Sequence, residues 1–433
     1  MKKFIKIFLS IFILLSIPLL YLYPKIKYKY YDITKRFRLI ESQLESYGKY
    51  LVSDLENYQN TRNPKKVLSE VKDNVIFNWK ELEVPWDKTK FYRTRALTIY
   101  NNNLVVGLQG NKLEGAYIYM YDTEKWTQLT ADNNDGVWNE LDKVFVLKVH
   151  NGELFAGINN TIWKLNKKNK WSLIKTFENK NFPTLAANSI ESHKGYLYLG
   201  LTGKASSLYR MQDDIWENIS SGLDEHPNDG IYEMLSHTDG NLYASNISVS
   251  NSTVVYKLEE KNLKWTAIGG KGINASWINS SFTYGLSMSS HNKLLFVTMN
   301  RHPKIYGKFS SIWAYDGNQW YAIGNKNPPK IWNEVDNFNA SLGYKDIFFI
   351  GSGGKPAGNA TIWALSNNQW KLIGGKGVND SWGSKFPNNL TNDFRNTSAE
   401  HPYRFVEFDN TMIVGFGDAN NAATLWQLKI INK

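Results

Sequence analysis

Two kinds of hydrophobic pattern divide this chain of 433 residues. Near the start, Phe4–Tyr23 (FIKIFLSIFILLSIPLLYLY) is an apolar run broken only by Lys6, two serines and Pro18. Such a run is long enough to span a bilayer. Beyond it, Phe37, Ile40, Leu44, Tyr47, Leu51 and Leu55 recur at helical spacing and predict a short amphipathic stalk, which Asn60–Pro64 (NTRNP) breaks. From residue 75 onward the period changes to short alternating runs separated by turn residues, which predicts strands only.

The strand pattern repeats. A hairpin strand ending in a small residue occurs as Leu104–Gly107, Leu154–Gly157, Leu197–Gly200, Leu242–Ser245, Leu295–Thr298, Phe348–Gly351 and Met412–Gly415. An aliphatic–aromatic pair opens the next strand at Ile118-Tyr119, Ile162-Trp163, Leu208-Tyr209, Val255-Tyr256, Ile312-Trp313, Ile362-Trp363 and Leu425-Trp426. A Trp begins a further strand at Trp126, Trp171, Trp216, Trp265, Trp320 and Trp370, and the missing copy stands at the front as Trp79. The steps from Trp79 onward are 47, 45, 45, 49, 55 and 50 residues, which suits four strands per repeat. The expected fold is all-β: a seven-bladed β-propeller with four-stranded blades. An N-terminal strand donated to the last blade closes the ring and removes a free edge. A transmembrane helix and a short helical stalk precede it, giving an anchor at 1–24, a basic juxtamembrane segment and stalk at 25–74, and the propeller at 75–433.

Two copies of a longer motif, Gly269–Trp277 (GGKGINASW) and Gly374–Trp382 (GGKGVNDSW), follow their repeat Trp, with a degenerate relative between Gly324 and Trp332. With the hairpin signature, they resemble kelch-like β-propeller repeats of bacterial surface and secreted proteins over roughly residues 75–433. True kelch repeats place the glycine pair after a different strand, so the resemblance is one of architecture. It implies a fold and a binding face, and no shared reaction.

Charge confirms the division. The chain carries 51 Lys/Arg against 40 Asp/Glu, a formal +11, and residues 1–74 hold 14 against 7 of these. The repeat region is nearly neutral, with no basic run and no nucleic-acid motif, so no nucleic-acid partner is expected, and anionic lipid is the simplest partner of the basic flank. Lys25, Lys27, Lys29, Lys35, Arg36 and Arg38 outnumber Lys2, Lys3 and Lys6, which by the positive-inside rule would leave the repeats in the cytoplasm. A short N-terminus before a single apolar run is, however, the usual start of an exported protein. The expectation is therefore a single-pass, uncleaved signal-anchor in lipid through residues 4–23, with the repeats extracytoplasmic; a cleaved signal is the alternative. There is no cysteine, which excludes disulfides, thiolate metal sites, cysteine nucleophiles and an acylated Cys anchor. The stalk offers a surface for oligomerisation.

Candidate chemistry lies in loops. Three His-Pro pairs, Glu225-His226-Pro227, Arg301-His302-Pro303 and Glu400-His401-Pro402, fall in loops expected on one face, while His150, His193, His237 and His291 fall at hairpins of the opposite face. One reading is a polysaccharide lyase or hydrolase site, in which Arg301 and Arg404 neutralise a substrate carboxylate and His226, His302, His401 or Tyr403 exchanges protons. Some polysaccharide lyases use seven-bladed propellers in this way, and only under that alternative would a divalent metal be a cofactor. The other reading is that Pro shapes the loops and the histidines are solvated. Trp277, Trp332 and Trp382 are candidates for stacking on sugar rings, or else plugs between neighbouring blades. No nucleotide loop, zinc-protease helix, hydrolase Ser elbow, calcium loop or sialidase box is present. The leading expectation is a binder of a glycan or cell-envelope polysaccharide with no cofactor; a protein-binding scaffold of an envelope complex is the third possibility.

Overall fold

The structure is a computed structural model. It describes residues 75–433 except 89, 111–114, 130–140, 168, 179–184, 204–206, 224–229, 249–251, 278–281, 302–309, 324–336, 354–359, 367–368, 376–377, 383–400, 418–422 and 433. The expected anchor and stalk, residues 1–74, lie outside the described residues. Among the described residues no helix is long and apolar enough to cross a membrane.

The described chain is built of short antiparallel strands, and consecutive strands pair as four-stranded meanders. The innermost strand of each meander is its first: Phe91–Tyr100, Val144–His150, Ala186–His193, Gly230–Ser236, Phe282–His291, Asn337–Tyr344 and His401–Phe408. Each innermost strand touches the next, and His401–Phe408 returns to touch Phe91–Tyr100. A set of meanders whose inner strands close on themselves is a ring of radial sheets around an axis. The fold is a β-propeller.

The closure is covalently offset. Val75–Glu81 pairs antiparallel with Thr424–Asn432, with Trp79 opposite Leu428, so the first strand of the described chain is the outermost strand of the last sheet. That strand occupies what would otherwise be an open edge beside the chain end.

Each repeated signature has a packing role. The small residue ending the hairpin strand is where the next sheet's inner strand comes closest. A Cβ on Gly157 would lie 2.6 Å from the Ala187 carbonyl oxygen, and one on Gly415 would lie 2.4 Å from the Thr94 carbonyl oxygen. Ser245 occupies the same position and turns the close approach into a hydrogen bond, its hydroxyl donating to the Gly285 carbonyl at 2.8 Å. The repeat tryptophans staple one outer strand to the previous sheet. The indole N–H of Trp126 donates to Glu83, Trp171 to Leu129, Trp265 to Ile219, Trp320 to Ile268 and Trp79 to Ile373, all to backbone carbonyls at 2.7–3.1 Å. Trp216 packs instead on Phe177, with ring centroids 5.8 Å apart.

Six of the inner hairpins twist with their strands because both central residues adopt positive φ, as at Asn101-Asn102 (49° and 62°) and Asn151-Gly152 (49° and 77°), while the turn before Leu242 has positive φ at Gly240.

Candidate functional site

Register along the inner strands sets the chemistry at the axis. Each of them carries a β-bulge at an equivalent place, between Thr94 and Ala96, Val144 and Val146, Ala187 and Ser189, Ile231 and Glu233, Gly285 and Ser287, Phe338 and Ala340, and Pro402 and Arg404. A bulge re-aims the extra residue out of the pleat. The extra residues are Arg95, Phe145, Asn188, Tyr232, Leu286, Asn339 and Tyr403.

Several of these meet although they come from different sheets. The Arg95 guanidinium donates to the Asn188 side-chain oxygen at 2.7 Å and lies 5.1 Å and 5.0 Å from the ring centroids of Phe145 and Tyr232. Asn188 in turn donates to the Tyr232 carbonyl at 2.8 Å. Next to this ring of bulge residues, Arg404 grips Glu233 with both terminal nitrogens, at 2.9 and 2.7 Å. The two belong to inner strands that are not neighbours in the ring, so the pair crosses the axis. Lys148 reaches Glu191 at 2.7 Å. Two rungs of a polar axis are thereby tied together by charge-assisted bonds.

Burial and neighbours shift these groups. Desolvation lowers the Arg95 pKa, with Arg404 and Arg93 adding to the effect and Tyr232 and Tyr403 opposing it. For Arg404 burial acts downward, but the Glu233 carboxylate outweighs it and the pKa is raised. Burial lifts the Glu191 carboxyl above its usual range, against the pull of Lys148.

Among the described residues one cation of this cluster has no such partner. Arg93 stands two residues before the bulge, on the side of the loops that lead from one sheet to the next. Its guanidinium lies 5.0 Å from the Tyr403 ring centroid and 5.4 Å from that of Tyr92, and its Nε is buried without a hydrogen bond. Its backbone is fixed by pairing with Gly417, where a Cβ would meet Arg93 Cα at 2.6 Å.

The residues singled out from the sequence are distributed as follows. His226, His302 and Trp332 lie outside the described residues. Arg301 ends the strand Leu294–Arg301, where its backbone stands opposite Phe282. His401 opens an inner strand beside the same cluster, with its Nδ1 3.1 Å from the Asn339 side-chain nitrogen and its ring 5.8 Å from that of Tyr403. Tyr403 is the bulge residue of that strand. Arg404 is present at the axis too, but its fork is filled by Glu233 of this chain, so the expected partner, a substrate carboxylate, is replaced by an internal one.

The tryptophans require a correction. Trp277 and Trp382 are 1% and 5% exposed, and their indoles donate to the carbonyls of Thr253 and Ala360 at 2.9 and 2.7 Å. Trp277 packs edge-on against Trp320, and Trp382 against Trp79. Both sit at seams between sheets, and neither presents a face for sugar stacking. The glycine motif around them is a lock on that seam: Asn274 and Asn379, at φ of 52° and 54°, donate to the Ile268 and Ile373 carbonyls, and Ser276 and Ser381 accept from the N–H of Gly270 and Gly375.

The four hairpin histidines are also buried, and two of them are bonded to the next sheet, His150 to Ser192 and His193 to Ser236, both at 2.8 Å. Among the described residues no group of three His, Asp or Glu is placed to hold a metal ion.

Comparison with known proteins supports the fold. The chain matches no protein-family profile, and no curated protein matches it. Among solved structures it is similar to the extracellular domain of BT4673, assigned to a one-component system, from B. thetaiotaomicron: TM-score 0.54, 12% identity, covering 80% of this chain. This chain spans 40% of the length of that one. The β-propeller domain of the Trilobed protease from Pyrococcus furiosus gives a TM-score of 0.44 at 10% identity, covering 79% of this chain and 98% of that one. A protein assigned as a gluconolactonase gives 0.37 at 9%, covering 86% and 98%. At 12% identity the likeness to the B. thetaiotaomicron domain extends to the fold alone.

Proposed function

We propose that this chain is a membrane-anchored, extracytoplasmic propeller of seven blades that binds a ligand at the loop-side mouth of its axis, and that the ligand is a glycan of the cell envelope. The observation that carries the reading is the convergence of Arg93 and Arg95 from one sheet with Tyr232 and Tyr403 from two others at the axis. Aromatic rings beside fixed donors are what a sugar ring and its hydroxyls require. The four-stranded meanders and the repeat of the signatures support the blade number, and the glycine motifs support a kelch-like architecture. The apolar run Phe4–Tyr23 supplies the anchor. The extracytoplasmic side is supported by the extracellular origin of the B. thetaiotaomicron domain.

Binding is favoured over catalysis because the cluster's two carboxylates, Glu191 and Glu233, are each held by a cation. A general acid or base has to be free to exchange its proton with substrate.

The test is a glycan array probed with the full-length chain in detergent, repeated with Tyr403→Ala, alongside protease protection in intact cells. Binding that Tyr403→Ala weakens, with the repeats cut from outside the membrane, supports the reading. Degradation of a polysaccharide would replace it with the lyase alternative. Repeats protected in intact cells would place them on the cytoplasmic side.

A further inference from the structure

The charge balance of the axis is unequal. Arg93, Arg95, Lys148 and Arg404 face two carboxylates, and both are committed, Glu233 to Arg404 and Glu191 to Lys148. Arg95 is satisfied by an amide oxygen and two rings. Arg93 is left with aromatic faces on its flanks and neither a hydrogen bond nor an ion pair among the described residues. Asp142, which precedes the neighbouring inner strand, is engaged by Lys143 at 3.3 Å and by the Asn159 amide at 3.1 Å.

Arg93 is half-buried, and it is its Nε that lies buried without an acceptor, an arrangement protein sites do not normally leave. Position narrows the use. Arg93 stands two residues before its bulge, nearer the loop side than Arg95, and at the same register the other inner strands carry Lys143, Asn337 and His401 and no carboxylate. Among the described residues of this register an anion therefore meets donors and no carboxylate.

We propose that Arg93, flanked by Tyr92 and Tyr403 at the loop-side mouth of the axis, is the seat of a carboxylate group carried by the ligand. The planar fork of a guanidinium matches a carboxylate in two parallel bonds, and flanking rings hold that fork in one plane. This rests on the ligand-binding reading above and adds an acidic substituent to it. The carboxylate could belong to a uronic-acid unit of a glycan or to a small organic acid, and the experiment separates them.

Isothermal titration of the full-length chain in detergent would use oligogalacturonate, a neutral cello-oligosaccharide, and citrate. The expected result is that oligogalacturonate binds, with affinity falling as salt rises, and that Arg93→Gln weakens it by at least about tenfold. Arg93→Lys, which keeps the charge and loses the fork, should recover only part. Arg210→Gln, at a solvent-facing pair with Glu217, should change nothing. Matching melting temperatures for all variants exclude a folding defect. Equal affinity of Arg93→Gln and the unaltered chain for oligogalacturonate overturns the proposal, as does the absence of binding by both acidic probes. Arg93-dependent binding of citrate alone upholds the carboxylate seat and defeats the glycan reading. Equal, Arg93-independent binding of acidic and neutral oligosaccharides does the reverse.

Discussion

At the scale of single residues, the buried hairpin histidines show how a polar side chain can be structural. His150 and His291 are lowered in pKa mainly by burial, with Glu153 and Asp346 opposing the shift. Their neutral rings serve the fold: Nδ1 of His150 is bonded to Ser192 of the next sheet, and the His291 ring packs 6.0 Å from Phe348. The sign of the pH effect follows. Above the ordinary histidine range both folded and unfolded chains hold these rings neutral, and no stability depends on them. As pH falls through about 6.5, the unfolded chain takes up protons that the folded chain refuses, so stability is lost until the lowered folded pKa is reached. Melting temperature followed from about pH 7.5 to about pH 5 should therefore fall, and the double variant His150→Gln, His291→Gln should flatten that fall. An unchanged slope in the variant would mean that these rings do not carry the linkage.

At the scale of elements, the latch is the strand Val75–Glu81. Trp79 on it is buried, donates to the Ile373 carbonyl at 2.7 Å and packs edge-on at 5.1 Å against Trp382, so it joins the first described strand to the last two sheets. Trp79→Ala should cost about 3–5 kcal/mol in urea unfolding of the full chain. Ile76→Ala, three residues earlier and largely solvent-facing, should stay within about 0.5 kcal/mol. Similar costs for the two would show that the strand contributes little to closure. This element was legible in the sequence because Trp79 belongs to a repeated series, and a repeated residue here is one that a seam needs: a glycine where backbones meet, an indole that bonds across sheets. Apart from Tyr403, the bulge residues were not legible for the complementary reason. Arg95, Asn188, Tyr232 and Tyr403 differ in type, since the axis is the part of the ring that each sheet contributes to differently. Their spacing did repeat: Arg95, Phe145, Asn188 and Tyr403 each stand twelve residues before the small residue that ends their hairpin strand. The eye drawn to His-Pro pairs passes over that register; His401 stands beside the cluster, and His226 and His302 lie outside the described residues.

At the scale of the whole molecule, the Arg404–Glu233 pair tests whether the ring is one mechanical object. Its two residues are separated by 171 positions and sit on inner strands that do not adjoin, so the pair spans the axis that all the sheets share. The side chains are 24% and 10% exposed, which leaves both largely desolvated and bonded to each other. Removing one partner leaves the other charge without compensation: Glu233→Gln would turn Arg404 loose among Arg93 and Arg95, which already repel. The expected cost is about 3 kcal/mol, the low end for a buried pair because part of Arg404 meets solvent. Replacing both partners with apolar residues of similar size, Arg404→Met with Glu233→Leu, removes the charges together with their desolvation, and should come within about 1 kcal/mol of the original chain. Chemical unfolding of the two single variants and the double variant closes the cycle. A double variant as unstable as the sum of the singles would mean that the two groups act independently. A double variant much more stable than either single would mean that the charges cross the axis to serve something other than stability, which at this position is the shape and potential of the mouth where Arg93 waits for an anion.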